Sequence, residues 1–256
     1  MKAPTRIVVL GAVALASAFL PGCGPPARHG AHAVDLRPDY DPIETVNRRV
    51  FWFNDKLDTY ALEPVATGWD RIAPAAVQRS VRNFFLNLRF PIVTVNDVLQ
   101  GKVRAGASDA GRFVVNTTVG VLGFFDPATR WGLARHDEDC GQTLGWWGIR
   151  GGAYVVLPVL GPSSVRDTIG LVGDSAASIT PFFVNGWILV GARVADAVNY
   201  RSMMLDQIRE AKRASLDYYV FVRNAYVQRR NGLLHDRVDT DAGDAETLYH
   251  PELEKE

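Results

Sequence analysis

Residues 41–64 read DPIETVNRRVFWFNDKLDTYALEP, and the difficulty sits in the middle, where Val50, Phe51, Trp52 and Phe53 form an unbroken apolar run. The stretch is otherwise that of an amphipathic helix. Asp41 suits an N-cap, Pro42 suits the first helical position, and Glu44 places an acid in the first turn. Successive helical residues turn by roughly 100°. At that step Ile43, Val46, Val50, Phe53, Leu57, Tyr60 and Ala61 fall on one face, the spacing of a core-packing stripe. Phe51 and Trp52 fall outside it, among Arg48, Asp55, Lys56, Asp58 and Thr59. Two surroundings suit such a pair. One is a second protein element covering that side. The other is a membrane–water interface, where aromatic rings sit beside charges.

The rest of the chain bounds the choice. Its 256 residues suffice for one large domain or two small ones, and 47% hydrophobic with 22% charged residues is a globular composition. A formal net charge of zero gives nucleic acid no electrostatic footprint. The balance is uneven, however. Residues 235–256 carry eight acids and two bases, an acidic tail of low apolar content that reads as disordered from 231 to 256. At the other end, MKAPTRIVVLGAVALASAFLPGC has Lys2 and Arg6, then an uncharged run to Gly22: a signal peptide over 1–22. Its ending, Leu20-Pro21-Gly22-Cys23, is similar to a bacterial lipobox, which makes Cys23 the expected site of acylation. Gly24 after it favours the outer membrane. Residues 23–40 then read as an acylated cysteine and a flexible tether. With Cys23 acylated, Cys140 has no disulfide partner, and two cysteines with five scattered histidines have no zinc spacing, so no metal or cofactor is expected.

Between 41 and 230 the pattern is helical, with Pro42, Pro64, Pro74, Pro91, Pro127, Pro162 and Pro181 each expected near a helix start. Helices are expected over 74–89, 91–100 and 104–121, with a long charged one over 201–231. The segment 141–162, GQTLGWWGIRGGAYVVLPVLGP, breaks the pattern and reads as a short hairpin or an extended loop turning at Arg150-Gly151-Gly152. Its Gly145, Gly148, Gly151 and Gly152, with Trp146 and Trp147, are candidates for a mobile gating loop; tight turns are the alternative. The apolar runs 113–125 and 175–192 are too short or too broken by Pro and Gly to span roughly 30 Å of hydrocarbon. Phe182, Trp187 and their apolar neighbours surround the helix axis, as in a buried or lipid-facing helix.

Motifs for covalent chemistry are missing. The sequence has no HExxH, GxSxG, P-loop or GxGxxG before a helix. Gly173-Asp174-Ser175 matches the nucleophile block of one lipase class, but no histidine stands three residues after an aspartate. Arg166-Asp167 at a helix start is either a local ion pair or a polar spot for a lipid head group.

Asp41-Pro42, Asn47-Arg48, Phe51 and Phe53-Asn54, followed by residues 83–102, 112–128, 141–167 and 216–230, resemble the MlaA/VacJ family of outer-membrane lipoproteins. The resemblance spans about 41–230; Cys140 departs from it, where an aromatic residue is expected. It implies an all-α ring of short amphipathic helices embedded in the periplasmic leaflet. Through the ring, phospholipids strayed into the outer leaflet would pass to a periplasmic carrier of the MlaC type. It further implies a porin trimer as partner and no enzyme activity. On that basis Arg166, Asp167 and Asp174 are candidates for the lipid path, and Phe51, Trp52, Phe182 and Trp187 for contact with lipid or porin. The rival readings are a structural lipoprotein that only anchors partners, and a lipid hydrolase.

Overall fold

The computed structural model describes residues 36, 37, 39–178 and 184–236; the signal segment, Cys23, Phe182 and the tail beyond 236 lie outside the described residues. Among the described residues the chain is all-α apart from one short hairpin. Helix α1 (Glu44–Leu57) runs through a π-helical turn (Asp58–Leu62) into α2 (Glu63–Ile72). Next come α3 (Ala75–Leu99), α4 (Val103–Thr118), the single turn α5 (Pro127–Arg130) and α6 (Cys140–Trp146). The antiparallel strands β1 (Tyr154–Leu157) and β2 (Gly161–Ser164) pair Tyr154 with Ser164 and Leu157 with Gly161. Then follow α7 (Val165–Ala177), α8 (Gly186–Met203), α9 (Leu205–Ala214) and α10 (Tyr218–Leu234). No helix among the described residues is long and apolar enough to cross a membrane.

Neighbours close on themselves. α2 packs on α8, α8 on α3, α3 on α6, α6 on α10, α10 on β2, and β1 returns to α1. The interior of this cycle is unusually rich in polar side chains. The largest fully buried side chains are Arg112, Arg166, Gln142, Asn47, Asn87 and Asn199, while Trp187 is 84% exposed, Ile72 75% and Trp52 63%. A water-soluble domain distributes its residues the other way.

Helix α1 shows the inversion most clearly. The stripe expected to pack inward faces out: Ile43, Val46, Phe53, Leu57 and Tyr60 are all exposed. The inward line is Asn47–Phe51–Asn54–Asp58. Asn47 donates to the Tyr154 carbonyl at 2.9 Å and accepts from Val156 N–H at 2.9 Å; Asn54 does the same for Leu157 and Val159. These amides stand in for a sheet neighbour of β1, which is why the helix turns its polar side inward. Phe51 packs with Tyr154, Val156 and Tyr219, its ring 5.4 Å from Tyr219 and 5.5 Å from Tyr218. Its expected contact with lipid or porin is therefore corrected to an internal one. Trp52, by contrast, points away from the protein.

Several boundaries also move. Asp41 does not cap α1, because its carboxylate accepts from Asn47, Tyr219 and Arg223 instead. Pro64 stands in the first turn of α2, which continues from α1 through the π turn, whereas Pro91 lies inside α3 and opens no helix. Pro162 lies in β2. The long helix expected over 201–231 is broken at Met204 and at 215–217, where Asp217 caps α10 through Val220 N–H and bonds Arg48. The described fold begins before residue 41, at Leu36, whose backbone N–H and C=O bond to the Asn231 amide. It runs past 230, since α10 ends at Leu234 with Leu233 and Leu234 buried.

Candidate functional site

The inner walls of the ring enclose a cavity of about 1680 Å³. α3 supplies Arg79, Arg82, Leu86, Arg89 and Val93, a line at helical spacing that mixes guanidinium groups with apolar side chains. α8 supplies Leu189, Val190, Arg193, Val194, Asp196 and Tyr200; Phe124, Phe125 and the hairpin tip, Val159 and Leu160, complete the apolar parts. Eight arginines and three aspartates line it, an excess of five positive charges. The wall thus offers cations and hydrocarbon side by side.

Ion pairs fix several of these cations. Arg82 reaches Asp196 at 3.5 Å and stacks over the Tyr200 ring at 4.8 Å, joining α3 to α8. Asp137 is shared by Arg89 at 3.0 Å and Arg229 at 3.3 Å, joining α3 to α10. Arg112, fully buried, donates to Asp126 at 2.6 Å, to Thr129 at 3.0 Å and to the Leu133 carbonyl, over the face of Phe90. Burial pushes the Asp126 carboxyl up, but Thr129 and the Arg112 guanidinium outweigh it and hold it below the usual carboxylate range. Arg130 and Arg193 show no ion pair among the described residues and remain open to an anion. His136 also lines the wall, with Nδ1 2.7 Å from Asp109.

The residues nominated from sequence lie elsewhere. Arg166, Asp167 and Asp174 are outside the cavity lining and knit α6, α7 and α10 together. Arg166 donates to Asp167 at 3.1 Å, and Arg230 joins Asp167 at 2.9 Å to Asp139 at 2.6 Å. Asp174 accepts from Asn96 and from Cys140 N–H. The ion pair at the start of α7 is real, and its partners are internal. Ser175 donates to the Leu171 carbonyl of its own helix, so the Gly173-Asp174-Ser175 block presents a helix-internal hydroxyl.

The segment 141–162 is not one loop. Asp139 caps α6 by accepting from Gln142 N–H at 2.8 Å, which makes 140–146 helical and leaves the hairpin to 154–164. Gly145 therefore serves close packing. A Cβ there would stand 2.5 Å from Leu234 and 2.7 Å from Arg166. Gly148 and Gly152 have φ of +85° and +71°, as turns require. Trp146 ends the helix, and exposed Trp147 donates to the Leu99 carbonyl. Of the expected gating segment, only the hairpin tip reaches the cavity. The cavity arginines carry one signal in the sequence, the helical spacing of Arg79, Arg82 and Arg89 on α3.

A family model described as MlaA lipoprotein matches residues 39–232. The Shigella flexneri intermembrane phospholipid transport system lipoprotein MlaA is 33% identical over 234 residues, covering 87% of each chain. The Haemophilus influenzae protein of the same description is 34% identical over 202 residues, 77% of this chain and 80% of that one. A solved structure described as "Structural basis for maintenance of bacterial outer membrane lipid asymmetry" superposes with a TM-score of 0.68 at 35% identity, over 76% of this chain and 98% of the other.

Proposed function

The chain belongs to the MlaA lipoprotein family, and we propose from its geometry that it moves phospholipids through the arginine-lined cavity out of the outer leaflet of an outer membrane. The observation that carries this reading is the inversion of polarity around a hollow: apolar side chains outside, polar ones inside, cations on the cavity wall. An exposed apolar belt on helices too short to span suits a ring lying in one leaflet. A phosphate drawn through hydrocarbon loses its hydration at high cost. Guanidinium groups replace that hydration bidentately, and the apolar wall between them accepts the tails. Arg79, Arg82, Arg89, Arg130 and Arg193 take the place of Arg166, Asp167 and Asp174 as the head-group path.

Anchoring through acylated Cys23, delivery to a periplasmic carrier of the MlaC type and association with a porin trimer complete the proposal. Trp52 and Trp187 lie on the surface offered to lipid or porin. The hairpin tip is the part placed to open or close the path, since Val159 and Leu160 reach the wall.

The test is a photoreactive residue placed at Tyr200 inside the cavity and at Trp187 outside it, in cells. Phospholipid adducts at both positions are expected, with porin adducts confined to the outer one. Lipid captured at Trp187 but never at Tyr200 would leave a membrane-lying anchor with no lipid path, the structural-lipoprotein reading.

A further inference from the structure

Among the described residues His136 is the one histidine on the cavity wall, and what stands behind it is unusual. Asp109 accepts from the His136 backbone N–H at 3.3 Å and lies 2.7 Å from its Nδ1. Asp109 is fully buried, and so is Asp97 on the facing helix. Among the described residues no hydrogen-bond partner reaches either Asp97 oxygen, and burial, with the Asp109 and Glu138 charges, pushes the Asp97 carboxyl up. Gly106 allows the two helices to approach: a Cβ there would stand 3.2 Å from Asp97 Cβ. A hydrogen bond therefore runs from the imidazole on the cavity wall to the buried Asp109 of α4, with the buried Asp97 of α3 behind it.

The surrounding charges define the state of that bond. Glu138 carries the nearest further acid, but Lys102 neutralises it at 2.8 Å and also reaches Asp236. Asp137 is taken up by Arg89 of α3 and Arg229 of α10, and Arg112 of α4 by Asp126. Arg135, next to His136 in the chain, lines the same wall, and Asp109 faces the imidazole directly. An imidazolium suits that site, with Nδ1–H donating to Asp109. The other ring nitrogen is then a charged donor.

We propose, on the premise that the cavity passes phospholipids, that His136 contacts the passing phosphate as an imidazolium, with Asp109 and Asp97 as its positioning residues. The arginines stay charged at any physiological pH, whereas a histidine contact makes head-group binding depend on proton concentration. Hydrogen bonding to Asp109 raises the His136 pKa above its usual 6.5 against the opposing effect of burial. A bound phosphate raises it further.

The test uses the full-length chain in detergent with labelled histidines, the His136 signal being assigned by its loss in His136→Gln. Dihexanoylphosphatidylglycerol, dihexanoylglycerol and inorganic phosphate are titrated from about pH 6 to about pH 8.5, a span that crosses ordinary histidine titration. The phospholipid is expected to raise the His136 pKa, and its own affinity to fall about tenfold across the range, as loss of a charge-assisted hydrogen bond implies. His136→Gln flattens that dependence. Asp109→Asn lowers the His136 pKa, a change a purely structural role would not make. Dihexanoylglycerol leaves the signal unmoved. Inorganic phosphate acting as strongly as the phospholipid would assign the contact to a free anion and overturn the proposal. Phospholipid that binds without moving His136 overturns this inference alone; phospholipid that does not bind at all overturns the lipid path as well.

Discussion

Asp97→Asn isolates the buried proton. In the folded chain burial, with the Asp109 and Glu138 charges, pushes the Asp97 carboxyl from 3.8 up to about 8. Between those two values the folded state holds a proton the unfolded state has released. Stability is therefore fully present below pH 3.8 and is lost as pH rises toward and through about 8. At 1.36 kcal/mol per unit, four units set a ceiling of about 5 kcal/mol; interaction with the neighbouring Asp109 and Glu138 charges brings the expected loss to about 2–4 kcal/mol. An asparagine has no proton to lose over this range. The variant should match the parent within about 1 kcal/mol near pH 5 and exceed it by about 2 kcal/mol near pH 8. His136 and Glu138 also have raised values, and both lose stability with rising pH in the same direction. Glu138 does so alike in both chains, and the difference between the curves belongs to Asp97 together with the part of the His136 shift that its charge supplies. Urea unfolding in mild detergent, followed by tryptophan fluorescence, reads it. Parallel curves, or a variant weaker at both ends, would refute the buried proton on Asp97.

Gly170→Ala would set a Cβ 2.3 Å from the Gly141 backbone nitrogen, so α6 and α7 must part. A loss of about 2–3 kcal/mol in urea is expected, against near neutrality for Gly68→Ala, where nothing lies within 4 Å. Asn47→Leu keeps the volume but strips the Tyr154 carbonyl and Val156 N–H of their partners. It should cost about 2–4 kcal/mol, seen as lost hydrogen-exchange protection at Val156. Trp187→Ser removes an 84% exposed ring. Unfolding should shift by less than about 0.5 kcal/mol, while retention on floated liposomes falls; unchanged flotation would place α8 away from lipid.

Helical periodicity gives the existence of most helices, because an amphipathic pattern looks alike whichever side faces in. It does not give the sense of the pattern. In α1 the apolar line Val46–Phe53–Leu57 and the polar line Asn47–Asn54–Asp58 are equally regular, and only the partners on β1 and α8 decide between them. Those partners are about a hundred or more positions away: Arg201 grips Asp58 at 2.7 Å, and Asn54 grips Leu157 at 2.9 Å. The glycines of 141–152 were legible as conformationally free but not as spacers, since the side chains they admit, Arg166 and Leu234, belong to other helices. The Arg166–Asp167 pair was legible as a helix-start pair, whereas Arg230, which completes it, was not. Long-range polar pairing leaves no periodic trace.

That pairing has a physical cause. A ring with an apolar outer face gains little by closing in lipid, because hydrocarbon solvates that face as well as another helix would. Closure must come from groups that lipid cannot satisfy. Arg201 clamps Asp58 and Glu63 across the α8 seam, Arg230 clamps Asp139 and Asp167 across the α6–α7–α10 seam, and Arg223 holds Asp41 beside Tyr219. Each clamp is buried, so losing one partner strands a charge in a medium of low dielectric. The same device gives the hollow its shape. Side chains tied at their tips cannot collapse into the middle as a hydrophobic core does, so the cavity stays open. Arg82–Asp196 and Arg89–Asp137–Arg229 cross-link its wall and leave cations facing the cavity. Seam and path are thus built from one residue type. The guanidinium closes the ring where both sides meet a carboxylate, and it serves the proposed cargo where one side is left open, as at Arg130 and Arg193.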